Sequence, residues 1–203
     1  MEKMQTTAKK LDIFFRILQI FITVALVASM VGLAIIGVYF LFDLSPEMIG
    51  TGYGSVELGF LELEIANSYP LSRDVIILGA GAELLLGFFC LLTGKACVKC
   101  VRNILTPMAE GTPFHGVVSE NLSKLAKYTC ALGIKLNLME ILGNLLTAQA
   151  YDLTGLLLSE NITRVTANYS FDLSFLVIAA VFALLSLVFR YGEQLQQLSD
   201  ETL

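Results

Sequence analysis

The chain has 203 residues, 56% hydrophobic and only 15% charged, with a mean hydropathy of +0.74 and a formal net charge of −5. A soluble domain of this length does not carry so apolar a composition, so the sequence reads as an integral membrane protein. The acidic balance, gathered largely in the loops assigned below to the outer side, excludes the basic footprint of a direct nucleic-acid binder.

About twenty mostly apolar residues, rising 1.5 Å each, cross the roughly 30 Å hydrocarbon core of a bilayer. The first run of that kind, Ile17 to Phe42, holds no charged residue. It starts near the amino end and lacks a short apolar core followed by a small-residue cleavage site, so it is expected to be a retained span. In the following loop, residues 43–74, the stretch SVELGFLELEI alternates apolar with polar or small positions through Val56, Leu58 and Phe60. It slips phase near Phe60, then alternates again through Leu61, Leu63 and Ile65. That pattern predicts a bulged strand or a short hairpin.

The second run, Val75 to Gly94, contains GAGAELLLGFF, in which Glu83 interrupts an otherwise apolar sequence. Its eleven Val, Ile, Leu and Phe residues contribute roughly −3 to −7 kcal/mol toward insertion, against about +3 kcal/mol for one central charge. The run therefore inserts despite Glu83. In the inner loop, residues 95–127, Val98, Val101, Ile104 and Leu105 recur at helical spacing, so the second helix is predicted to continue beyond the membrane. Gly111, Thr112 and Pro113 then break the pattern, and Thr112 before Pro113 is the expected start of the next helix.

The third run, Tyr128 to Ala150, carries both Lys135 and Glu140. Its eight Leu and Ile residues supply only about −2 to −5 kcal/mol, so it inserts poorly alone and requires polar partners from neighbouring helices. The loop after it, residues 151–172, contains NITRVTANYSF, rich in β-branched and aromatic residues. Since an isolated hairpin is marginal in water, the two outer loops are expected to pair into one small sheet. Asn161 and Asn168 head N-x-S/T triplets, which matter only in a host that glycosylates secreted chains. The fourth run, Leu173 to Phe189, is free of charge and leads into the tail, residues 190–203.

Sidedness follows from the basic residues. Lys3, Lys9, Lys10, Arg16, Lys95, Lys99, Arg102, Lys124, Lys127 and Arg190 fall on one side of a four-span topology, and only Arg73 and Arg164 on the other. The expected arrangement is thus a single all-α membrane domain, residues 1–203. It is a four-transmembrane-helix bundle with both termini cytoplasmic and a small extracytoplasmic β element from the two outer loops.

The sequence MAEGTPFHGVVSENLSKLAKYTCALGI, with the closing FRYGEQLQQLSDETL, resembles the bacterial membrane family known as domain of unknown function 2975. That family shows a G-x-P-F element before its third span and a tail similar to F-R-Y-G-x-x-L-Q-x-x-x-D-E-T-L. The matching positions are Gly111, Pro113 and Phe114, then Phe189, Arg190, Tyr191, Gly192, Leu195, Gln196, Asp200, Glu201, Thr202 and Leu203. The resemblance implies four spans, a bacterial plasma membrane, and a gene neighbour encoding a small Cro/CI-like helix-turn-helix regulator. It implies no established activity and transfers no catalytic residue.

Among chemically active residues, Cys97 and Cys100 form CVKC, but a structural zinc site needs four ligands and only Cys130 and His115 could complete it without any recognised spacing. Ordinary reduced thiols and no cofactor are therefore expected. A nucleophile elbow and a phosphate-binding glycine loop are both missing from the sequence. The intramembrane polar residues carry more information. Gly133, Asn137, Glu140 and Asn144 fall within about 60° on the third helix, whereas Lys135 points about 140° away from Glu140. Helical rise puts Glu83 about 16 Å, Glu140 about 18 Å and Lys135 about 11 Å below the inner boundary, so Glu83 is expected to face the interior of the bundle, toward the third helix, and meet one of them.

Two readings of this set compete: helix-to-helix hydrogen bonding, helped by small residues at Gly79 and Gly87, or proton exchange between carboxyls and a lysine. The functional expectation is a non-enzymatic membrane protein acting through a protein partner, with the inner loop and the tail, Leu195 and Leu198 on one side, as contacts. The alternative is a proton- or ion-coupled transport component centred on Glu83 and Glu140, which would need a homo-oligomer to build a pathway. An enzyme ranks third, because no nucleophile, base and orienting group assemble.

Overall fold

The structure, a computed structural model, describes residues 2–42, 54–58, 61–65, 73–112, 115–150 and 171–201. Four helices dominate: α1 (Glu2–Leu41), α2 (Arg73–Glu110), α3 (Gly116–Ala150) and α4 (Ser174–Glu201). All are long and apolar enough to cross a membrane, which makes this a multi-pass membrane protein. Large apolar side chains stand exposed along them, Phe21 at 68% and Val177 at 67% among others, a surface suited to lipid and costly in water. At 38 residues, α2 is about 57 Å long, nearly twice the hydrocarbon core, and it runs past Gly94 as the spacing of Val98 to Leu105 predicts.

The chain divides into two compact units. Unit 1 contains α1 up to Ala28, α2 from Phe88, α3 up to Asn137, and α4. Its core is built from Cys100 and Ile104 of α2 with Val118, Leu122 and Leu125 of α3, and Phe182 and Phe189 of α4 pack against it. Val118 is fully buried. The α2 and α3 members lie between Gly94 and Tyr128, outside the expected spans, so these helices pack tightly on each other beyond their apolar segments. Farther along α3, the Phe175 ring of α4 sits directly over Gly133, where even a methyl group would fall inside the ring's van der Waals envelope.

The connection between α2 and α3 departs from the expected start at Thr112. Gly111 adopts φ 86°, its N–H donates to the Met108 carbonyl (3.3 Å), and the Thr112 N–H donates to the Pro107 carbonyl (2.9 Å). This double closure by a left-handed glycine is a helix C-terminus. Thr112 thus ends α2, its hydroxyl also reaching the Pro107 carbonyl, and α3 begins at Gly116. His115 caps α3 by accepting the Val117 N–H on Nδ1 (3.3 Å).

Unit 2 contains α1 from Ser29, the α2 residues up to Gly87, α3 from Leu138, and a hairpin. Its helices meet through small residues: Leu146 lies over Gly79, Ile36 over Gly81 and Leu84 over Gly32, each about one van der Waals contact from where a Cβ would stand. The hairpin pairs β1 (Gly54–Leu58) antiparallel with β2 (Leu61–Ile65). Its register sets Val56 opposite Leu63 and Leu58 opposite Leu61, so the slip in alternation is where the pairing reverses direction. This pairing is internal to the first loop. The strand expected in residues 162–170, and any sheet combining both loops, lie outside the described residues.

Candidate functional site

The five intramembrane polar residues divide between the units: Lys135 and Asn137 belong to unit 1, and Glu83, Glu140 and Asn144 to unit 2. In unit 1, Lys135 donates through Nζ to the Thr93 hydroxyl and to the Phe89 carbonyl (3.3 Å), with Thr93 also donating to Phe89 (2.9 Å). A lysine in an apolar helix is therefore anchored to neutral oxygens of α2 and has no carboxylate partner among the described residues. Asn137 is buried at 5% and fully used. Its amide donates to the carbonyls of Gly133 (2.8 Å) and Asp172 (3.0 Å), and its oxygen accepts the Asp172 N–H (2.7 Å). Asp172 in turn caps α4, accepting from the Ser174 N–H and hydroxyl at 2.8 Å each, which holds its carboxyl below the usual carboxylate value.

Further polar links follow the same logic. Ser186 of α4 donates to the Ser119 carbonyl (2.7 Å), and Asn103 of α2 donates to Asn121 of α3 (3.1 Å). On α1, Asp12 accepts from Arg102 Nε (2.9 Å), and Gln19 accepts from Arg102 Nη1 (2.7 Å). The Arg102 hydrogen bond is the main reason the Asp12 carboxyl is held low, reinforced by the Arg102 and Arg16 charges. Sequence patterning finds none of these partners, because periodicity assigns a residue to a face without saying which neighbour fills it. The only signal was a hydroxyl or amide within an apolar or amphipathic helix.

In unit 2, Glu83 extends toward α3, with Oε1 3.0 Å from where a Cβ on Gly143 would stand. The direction toward α3 is as expected, but the side chain is exposed and not enclosed in the bundle, and the expected partner is not found. Glu83 is exposed and, among the described residues, has no hydrogen bond or ion pair; Glu140 and Asn144 are exposed on α3 and equally unpaired. The glycine at 143 lets the carboxylate lie against backbone, so the contact is steric accommodation and not a polar network.

The positions shared with the family motif spread over several roles. Gly111 closes α2, and its nearest side chain is Gln5 of α1. Pro113 and Phe114 lie outside the described residues. Arg190, Tyr191, Leu195, Gln196 and Glu201 are exposed along α4 beyond its apolar run, Gly192 is half-buried, and the Asp200 side chain lies outside the description. Glu193 was not singled out by sequence, yet its Oε1 lies 2.5 Å from where a Cβ on Gly116 would stand, so a carboxylate approaches the first turn of α3 there.

Burial pushes the Cys97 and Cys100 thiols up, keeping them protonated and unreactive. Among the described residues, no three of His, Cys, Asp and Glu gather as a metal would need. Two clefts flank Gln19. One of about 490 Å3 is lined on α2 by Leu92, Lys95, Lys99 and Arg102, and one of about 300 Å3 by Arg16, Ile20, Thr23 and Val24 of α1. Neither is lined by Glu83, Glu140 or Asn144. Comparison with known proteins returns no matching family model, no similar curated protein and no similar solved structure.

Proposed function

We propose that this chain is a non-enzymatic membrane protein that presents a packed helical head at the membrane surface to a protein partner. The observation that carries this reading is the core of Cys100, Ile104, Val118, Leu122 and Leu125, which lies beyond the expected second and third spans, with Phe182 and Phe189 of α4 packed against it. Tyr191, Leu195 and Leu198, exposed at 62%, 50% and 60% on α4 past its span, offer the apolar anchors for a helix-docking partner. In keeping with the resemblance to domain of unknown function 2975, the partner is a small helix-turn-helix regulator and the membrane a bacterial plasma membrane. The basic-residue asymmetry favours a head and both termini in the cytoplasm and the hairpin outside. A cysteine at the exposed position Thr112 should resist membrane-impermeant labels in intact cells; efficient labelling would reverse the orientation.

The test is affinity purification of the full chain from native membranes, alone and with Tyr191→Ser and Leu195→Ser. Recovery of one DNA-binding protein by the wild type and its loss in the variant supports the reading; identical recovery by both removes the tail from it.

A specific observation favours a second reading. Among the described residues Glu83 has no polar partner in an apolar helix, as a proton-exchanging carboxyl would. In that case the chain is a proton- or ion-coupled transport component, with Glu140 as the second carboxyl. Proton flux in liposomes that disappears with Glu83→Gln would establish it, and flux indifferent to that change would end it.

A further inference from the structure

The two clefts of unit 1 share Gln19 and differ in character. The larger is cationic: Lys95, Lys99 and Arg102 recur at i, i+4 and i+7 on one face of α2. Arg102 is already committed to Asp12 and Gln19, which fixes its guanidinium at the cleft wall. Among the described residues, Lys95 and Lys99 have neither hydrogen-bond nor ion-pair partners, and their ammonium groups are available. The Gln19 amide oxygen accepts from Arg102, leaving its NH2 as a further donor. The smaller cleft, lined by Arg16, Ile20, Thr23 and Val24 besides Gln19, exposes mainly apolar surface.

Their levels relative to a bilayer differ in the same sense. Lys95 directly follows the apolar run that ends at Gly94, and Lys99 stands about 6 Å farther along the helix. The polar headgroup layer is about 5 to 8 Å deep on each side, so both ammonium groups fall within it. On α1, Ile20, Thr23 and Val24 lie past Ile17, on the hydrocarbon side of that boundary. A cationic slot therefore adjoins a mainly apolar slot, with Gln19 common to both.

We infer that the paired clefts around Gln19 form a binding site for one anionic phospholipid, its phosphate between Lys95 and Lys99 and an acyl chain along Ile20 and Val24. A free phosphate would satisfy the lysines alone. The adjoining apolar cleft is what favours the lipid.

The test uses the full chain in neutral detergent and measures binding of a fluorescent phosphatidylglycerol against unlabelled competitors. Phosphatidylglycerol should compete better than phosphatidylcholine by on the order of twenty- to thirtyfold, roughly fivefold for each lysine. Lys95→Gln with Lys99→Gln should abolish that preference while the helical circular dichroism signal is kept, and raised salt should weaken it in the wild type. Glycerol 3-phosphate and inorganic phosphate should not compete. Equal affinity for both lipids overturns the inference, as does a preference that survives the double substitution. Competition by the soluble phosphates at matched concentration would reassign the site to a soluble anion. The wild-type preference is read without mutation, so the test stands even if the variant misfolds.

Discussion

In unit 1, the buried polar side chains of α3, Ser119, Asn121 and Asn137, all have partners, and the half-buried Lys135 is anchored to α2. In unit 2, Glu83, Glu140 and Asn144 are exposed, and the helices meet through glycines under Leu146, Ile36 and Leu84. Both sets look alike in sequence, as isolated polar residues in apolar helices. Their surroundings separate them. A polar residue that satisfies a neighbour's backbone specifies how two helices fit, and its removal strands the neighbour. One that satisfies nothing contributes little to the fold, and selection for something else must account for it.

The comparison can be broken most sharply at Gly133, where unit 1 has no free space. Gly133→Val should destabilise by about 3 kcal/mol or more, because the Phe175 ring has to leave its seat. Thermal unfolding in detergent would show it, and Phe175→Ala should recover part of the loss. A neutral Gly133→Val would mean that α3 and α4 do not pack this way.

Next is Asn137→Leu, expected to cost about 2 kcal/mol by leaving the Asp172 N–H and carbonyl without their partner. Asn137→Asp keeps the acceptor but not the donor and should fall between. Chemical denaturation with a helix-content readout ranks the three.

A smaller effect is expected from pH. Asp12 has a depressed carboxyl pKa in the folded protein, so its pairing contributes stability above the ordinary carboxylate value near 3.8, lost as pH falls through the lower folded value. Wild-type stability should therefore decline in that acid range, and Asp12→Asn should be less stable at neutral pH with a flatter decline. Parallel curves for the two proteins would remove Asp12 from the account.

The smallest effect on folding belongs to unit 2. Glu83→Gln, and even Glu83→Leu, should change stability by less than about 0.5 kcal/mol, since no partner is stranded. A loss of 1 kcal/mol or more would show that Glu83 is a structural residue after all.

Spans and the extension of α2 were legible because they depend on composition and period, which sum over many residues. The end of α2 was half legible. Gly111 reads as a breaker, but Thr before Pro is also a helix-start signal, and only the hydrogen bonds to Pro107 and Met108 decide which it is. Partner choice was not legible. Charge and depth suggested that Glu83 could meet Lys135, whereas a threonine hydroxyl and a helix carbonyl on α2 anchor the lysine without a second buried charge.

The Asn137 clasp on Asp172 also bears on how the chain enters the bilayer. Of the four spans α3 is the least apolar, and its buried amide, Asn137, is satisfied by backbone just ahead of α4. During synthesis, α3 leaves the ribosome before Asp172 exists. The third span is then completed only when the fourth arrives, and the two are expected to leave the insertion machinery as a hairpin. A nascent chain stopped short of Asp172 should hold α3 loosely, extractable by alkali, while a chain extended through Phe189 should hold it firmly.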